Sequence, residues 1–155
     1  MQDSQSIQLE DMNVTTQDLN YLRELQLKAF HEVAFNRLDL WADTWLRGKS
    51  FKYYINYKQE RVGFISGFIC RKRLHIQYFM IDPAFQGQGI GGNVLTLVSE
   101  LNPRHNQMTL HTRQSNTHMQ SLMDKLGFTK VDEITNYYKN GETAYYYSKK
   151  CYSTN

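Results

Sequence analysis

The feature that most constrains this chain is the point where its periodicity changes. Residues 86–92, "QGQGIGG", separate an apolar run from a helical pattern. Three strand-like runs come before them. "FKYYINY" (51–57) alternates as a strand does, "RVGFISGFIC" (61–70) is apolar on both faces like a central buried strand, and "RLHIQYFMI" (73–81) leads into the loop. Short hydrophilic turns join the three, which predicts an antiparallel meander ending at a glycine-rich turn.

The flanking segments complete an α/β pattern. Residues 5–10 read as a short edge strand. Residues 15–35 read as a helix, with Thr15 and Thr16 as capping candidates and Leu19, Leu22, Leu25, Ala29 and Val33 at helical spacing. A second short helix is expected over 38–47, stopped at Gly48. After the loop, Val94, Leu97, Val98 and Leu101 mark the buried stripe of a helix that ends near Asn102-Pro103. "QMTLHT" (107–112) is a strand, and Asn116 opens a helix with the stripe Met119, Leu122, Met123 and Leu126, stopped by Gly127. "FTKVDEI" and "TAYYYSKK" close the chain as strands, with a hairpin-type Asn140-Gly141 between them. No repeat or linker divides residues 1–155, so a single mixed α/β domain is expected.

Composition narrows the function classes. The chain is 41% hydrophobic and 21% charged, as globular domains are. A net charge of +3 suits a small anionic ligand and is too weak to argue for nucleic acid. No apolar run reaches the roughly 18 residues of a membrane span, and the N-terminus lacks a signal-peptide pattern. Cys70 and Cys151 are expected to be free thiols in a reducing cytoplasm. No Cys/His spacing resembles a zinc site, so no metal is expected.

The loop formally matches G-x-G-x-x-G through Gly87, Gly89 and Gly92. A dinucleotide fingerprint follows the first strand of a βαβ unit directly, with an acidic residue about 20 positions later. Here "DPAFQ" intervenes, a meander precedes, and the next strand carries His111. No Gly-Lys-Ser/Thr follows, so it is not a Walker loop either. Anion-binding logic remains. Consecutive backbone N–H groups can converge on one point, and the helix N-terminus adds positive potential. A diphosphate suits such a nest, and so does the simpler reading of a turn that merely enters a helix.

Read as Q-x-x-G-x-G, through Gln86, Gly89 and Gly91 after Ile81-Asp82-Pro83, the segment resembles the GNAT family of N-acetyltransferases. Asn116, Leu122 and "KLGF" (125–128) resemble the family's "N…A…LYEKLGF" block. The resemblance implies a mixed, mostly antiparallel central sheet flanked by helices, with acetyl-CoA as cosubstrate. It assigns the pyrophosphate to the backbone of Gln86, Gly87, Gln88, Gly89, Ile90 and Gly91, and the pantetheine arm to the backbone of Met80 and Ile81. Asn116 contacts the pantetheine or caps its helix.

Amine acetylation needs a neutral amine, a polarised thioester carbonyl and a proton for the leaving thiolate. His111, on the strand before Asn116, is the candidate base, since imidazole titrates in the useful range. Alternation puts it opposite Leu110, so one of the two points into the cleft. "LHTRQSN" resembles protein N-terminal acetyltransferases, including the ribosomal-protein alanine type, some of which place a His or Glu there. The helix position that usually supplies a tyrosine acid is Met123, which has no proton to donate. His75 and Gln77 read as exposed polar positions of a half-buried strand, or as groups that orient water or amine. His31, His105 and His118 read as surface residues.

The acceptor is expected between 28–47, with Trp41 and Trp45, and the last hairpin at 133–145. Tyr137-Tyr138 through Ala144 resembles the "YY-x-x-G-E-x-A" stretch of protein N-terminal acetyltransferases, whose tyrosines flank the peptide backbone. That favours a peptide N-terminal amine. Tyrosines also suit strands by propensity alone. A polyamine- or aminoglycoside-like amine, or an acyl-CoA-binding module without turnover, are the alternatives. Either a monomer or a homodimer is compatible with the chain.

Overall fold

β-branched and aromatic residues dominate 49–81, and that stretch folds as the expected meander. The computed structural model describes residues 6–12, 16–30 and 49–151. The elements are β1 (Ile7–Asp11), α1 (Thr16–Phe30), β2 (Lys49–Tyr57), β3 (Glu60–Cys70), β4 (Arg73–Ile81), a 3-10 turn at Pro83–Phe85, α2 (Ile90–Leu101), β5 (Gln107–Arg113), α3 (Thr117–Lys125), β6 (Thr129–Ile134) and β7 (Ala144–Lys150). They build one seven-stranded sheet in the order β1-β2-β3-β4-β5-β7-β6. Every neighbouring pair is antiparallel except β4 and β5. A parallel pair needs a crossover, and α2 supplies it.

Helices cover both faces. Ile65, Leu74, Ile76, Met108 and Leu110 pack against Val94 and Val98 of α2 and Met123 of α3. Tyr54, Phe64 and Met80 on the other face pack against Leu22 and Leu25 of α1. The Tyr54 hydroxyl also hydrogen-bonds to the Asp18 carboxylate, which fixes α1 on the sheet. Each fully buried aliphatic side chain contributes about 1.5–3 kcal/mol, so both layers matter for stability.

Two features of β4 shape the cleft beside it. Ser66 pairs with Tyr78 and Gly67 with Ile76, so Gln77 is the extra residue of a bulge, which bends the strand. The bend brings β4 close to β3: a Cβ on Gly67 would sit 2.0 Å from the His75 carbonyl oxygen. β4 and β5 then pair only through Arg73–Ile76 and Gln107–Leu110. Past Ile76 and Leu110 they part.

Some expectations need correction. Leu101 is exposed, and the buried stripe of α2 is Ile90, Val94, Leu95 and Val98. His105 is buried rather than superficial. It lies 2.9 Å from Ser99 Oγ through Nε2 and 2.8 Å from the Asn102 carbonyl through Nδ1, closing the end of α2. The expected helix at 38–47, with Trp41 and Trp45, falls outside the described residues, as does His31.

Candidate active site

A cleft of about 470 Å³ opens where β4 and β5 part. Its apolar wall is Phe79, Ile81, Met119 and Leu122; its polar end is Gln86, Gly87, Gly89, Gly91 and the Ser115–Thr117 turn, with Lys125 at the mouth. Met80, Ile90 and Asn116 also line it. Gln88 is exposed beside the cleft rather than in its lining. A larger hollow of about 720 Å³ behind α2 carries none of the left-handed glycines, and His111 lines neither of the two.

The open edge of β4 has a definite register. The Asp82 N–H donates to the Val62 carbonyl at 2.8 Å. Alternation turns the N–H and C=O of Met80 toward β3 and those of Phe79 and Ile81 toward the opening. The Ile81 carbonyl accepts from the Gln86 side chain at 3.0 Å. The backbone groups that an extended ligand would meet are therefore those of Phe79 and Ile81, and Met80 contributes its side chain to the α1 layer.

The glycines divide into two kinds. Gly87 (φ +79°) and Gly89 (φ +76°) are left-handed, where a side chain is strained. Gly89 is the N-cap of α2 and brings no side-chain cap, so the first helical N–H groups stay open to an anion. Gly91 answers to packing instead: a Cβ there would lie 2.9 Å from Leu122 Cδ2. Gly92 likewise faces Leu126 Cδ2 at 3.3 Å. An anion seat joined to an apolar wall and an unpaired strand edge suits a diphosphate carrying a long amide-bearing arm. Asn116 caps α3, its Oδ1 accepting from the Met119 N–H at 3.1 Å, and it lines the cleft as well.

His111 is the first β5 residue past the last β4–β5 pair, at the apex of the opening. Leu110 points into the helix layer, so His111 takes the other face. There it stacks on Tyr137, with centroids 4.8 Å apart, and lies against Tyr146 at 4.7 Å and His75 at 5.3 Å. Burial, helped by the Arg73 charge, holds the His111 pKa below its ordinary value. The ring is therefore neutral at neutral pH, as a base must be. His75 is buried, not exposed, and its Nδ1 is 2.7 Å from Thr109 Oγ1. Arg73 donates to the Tyr146 hydroxyl at 3.2 Å.

Tyr137 and Tyr138 lie in the loop between β6 and β7, so strand propensity does not account for them. Tyr138 packs edge-on to Tyr137 at 5.0 Å and beneath the Arg113 guanidinium at 4.0 Å. Burial pushes its phenol up to about 12, so it stays protonated. Met123 is fully buried in the core and faces neither site. Sequence reasoning missed Tyr146, Arg73 and Arg113, and met Glu142 only as the acidic position of the "YY-x-x-G-E-x-A" stretch. The first is visible only through the β5–β7 register, which sets it opposite His111.

A splayed parallel pair beside a left-handed glycine turn, with an apolar-walled cleft between them, suits a coenzyme-dependent acyltransferase. Residues 19–128 match the Acetyltransferase (GNAT) family, and the chain belongs to that family. It is an acetyl-CoA-dependent N-acetyltransferase. It is 33% identical over 130 residues, 81% of this chain and 86% of the relative, to the [Ribosomal protein bS18]-alanine N-acetyltransferase of Haemophilus ducreyi. Its fold is similar to the crystal structure of the ribosomal-protein-S18-alanine N-acetyltransferase from Escherichia coli, with TM-score 0.75, 19% identity and 96% of each chain covered. Arabidopsis thaliana Naa50, solved with the bisubstrate analogue CoA-Ac-MVNAL, is similar at TM-score 0.73 and 28% identity, over 93% of this chain and 98% of that one.

Proposed function

We propose that the chain acetylates the α-amine of a peptide or protein N-terminus, with His111 as general base. The observation that carries this is the stack of His111 on Tyr137 at the apex of the β4–β5 opening. The acetyl-CoA pyrophosphate binds the N–H groups of Gln86–Gly91, and its pantetheine arm runs along the open edge of β4 at Phe79–Ile81. The amine approaches from the other face, past Tyr137 and Tyr138. His111 takes its proton, the amine nitrogen bonds to the thioester carbon, and the C–S bond breaks. Met123 has no proton to donate, so the thiolate takes its proton from another hydroxyl, that of Tyr137 or Tyr138, or from water.

Two relatives support the peptide acceptor. The Haemophilus ducreyi relative is described as acting on a ribosomal-protein alanine, and Naa50 was solved with a pentapeptide analogue. The test is a mass-spectrometric assay of acetyl-CoA with an N-terminal peptide array beside polyamines and aminoglycosides. Acetylated peptide α-amines are expected. Product on small amines alone overturns the peptide acceptor, and coenzyme binding without any product overturns catalysis.

A further inference from the structure

The acceptor loop and the coenzyme cleft meet at one carboxylate. Glu142 Oε1 pairs with Arg113 Nη1 at 3.2 Å, and Oε2 accepts the Ser115 N–H at 2.7 Å. Ser115 lines the cleft and directly precedes the cap of α3. Arg113 in turn covers the Tyr138 ring and bonds to Asn140 Oδ1 at 3.3 Å. The loop closes on the same residue through its backbone: the Tyr137 and Tyr138 N–H groups both donate to the Glu142 carbonyl, at 3.2 and 3.3 Å.

The pair is partly shielded, with side-chain exposures of 16% for Arg113 and 19% for Glu142, so solvent screens it less than an exposed pair. The hydrogen bond from Ser115, then the Arg113 contacts, hold the Glu142 carboxyl below the usual range. It is therefore ionised at neutral pH.

We infer that Glu142 is a positioning residue that couples coenzyme loading to the acceptor loop. A ligand seated against the Ser115–Asn116 turn restrains the Ser115 N–H. The carboxylate passes that restraint to Arg113 and Tyr138, and Tyr137 is held against His111. This rests on the cleft being the coenzyme site. Acceptor affinity then rises once coenzyme is bound, by roughly 5–10-fold, the lower part of the usual range for coupled sites.

Backbone hydrogen exchange with free CoA as the probe tests this without any acceptor. CoA is expected to slow exchange of the Tyr137, Tyr138 and Gly141 amides about 5–10-fold in the wild type. Glu142→Gln keeps size but cannot accept both bonds as a carboxylate, and Arg113→Lys keeps charge but loses the planar cover on Tyr138. Both are expected to bind CoA within about threefold of wild type and to show no CoA-dependent slowing. A merely structural role would raise loop exchange equally with and without CoA. Either of two results overturns the coupling: CoA binding to wild type with unchanged loop exchange, or a full response in Glu142→Gln. Failure of wild type to bind CoA is a different outcome and overturns the coenzyme site itself.

Discussion

The His111 imidazole lies over the phenol ring of Tyr137, with their planes 17° apart. One residue ends the usable part of β5, and the other belongs to the loop that follows β6. Their contact joins the group assigned to proton removal with the ring assigned to the acceptor. It also shields the imidazole, which is why burial leads the causes of its lowered pKa.

His111→Ala is expected to lower kcat by about 10²–10⁴-fold, the usual worth of a general base. The acetyl-CoA dissociation constant, read by calorimetry, is expected to stay unchanged. In wild type the acidic limb of kcat/KM falls below the ordinary imidazole value of about 6.5, because burial and Arg73 disfavour the cation. The same shift works on stability. The unfolded chain takes up the proton first as pH drops below that value, so His111 costs stability as pH falls from there toward its own folded pKa.

Tyr137→Ala removes the stack and is expected to raise acceptor KM about 3–10-fold, matching the roughly 0.5–1.5 kcal/mol of an aromatic pair. Tyr137→Phe keeps the ring and is expected to stay close to wild type. Initial-rate kinetics with a peptide substrate separates the two. Equal effects would place the hydroxyl, not the ring, at the acceptor.

The two kinds of glycine predict two different outcomes. Gly87 is at φ +79° with nothing within 4 Å of an added Cβ. Gly87→Ala is therefore expected to strain the turn by about 1–2 kcal/mol and to weaken CoA binding. Gly91→Ala meets only the tip of the flexible Leu122 side chain, at 2.9 Å, and alanine gains up to about 1 kcal/mol over glycine within a helix, so fold stability is expected to change by less than about 1 kcal/mol. Calorimetric CoA titration beside thermal unfolding checks the contrast.

Met123→Tyr restores the residue type that the family pattern carries, yet Met123 is fully buried. Overpacking is expected to destabilise the protein by about 1–3 kcal/mol, seen in denaturant unfolding, with no gain in kcat. A rise in turnover would mean that the new hydroxyl reaches the departing thiolate.

The elements were legible because each rests on local chemistry. Gly127, at φ +85°, ends α3, and Asn116 caps it through the Met119 N–H. Both are properties of a few consecutive residues. The left-handed turn that opens α2 was legible for the same reason, through Gly87 and Gly89. His105 and His75 were misread as exposed because burial depends on what packs above a residue. For His75 that partner came from other strands, Thr109 of β5 and Phe68 of β3; for His105 it came from Ser99 and the Asn102 carbonyl, six and three residues back, which meet the ring because the chain turns over the end of α2. The pairing of Arg113 with Glu142 passed unnoticed because a charge in a sequence says nothing about the partner that shields it.

Among the described residues the sequence by itself determined the strands and helices, their order, and the left-handed turn that opens α2, because φ preference, periodicity and capping act within a few residues. Only the tertiary structure decided where β4 and β5 separate, which edge of β4 is open, and that His111, Tyr137, Tyr146 and His75 meet at that opening. Those outcomes depend on a bulge at Gln77 and on strand register between segments far apart in the chain. Shifting a register by one residue would turn His111 into the helix layer and Leu110 toward the tyrosines.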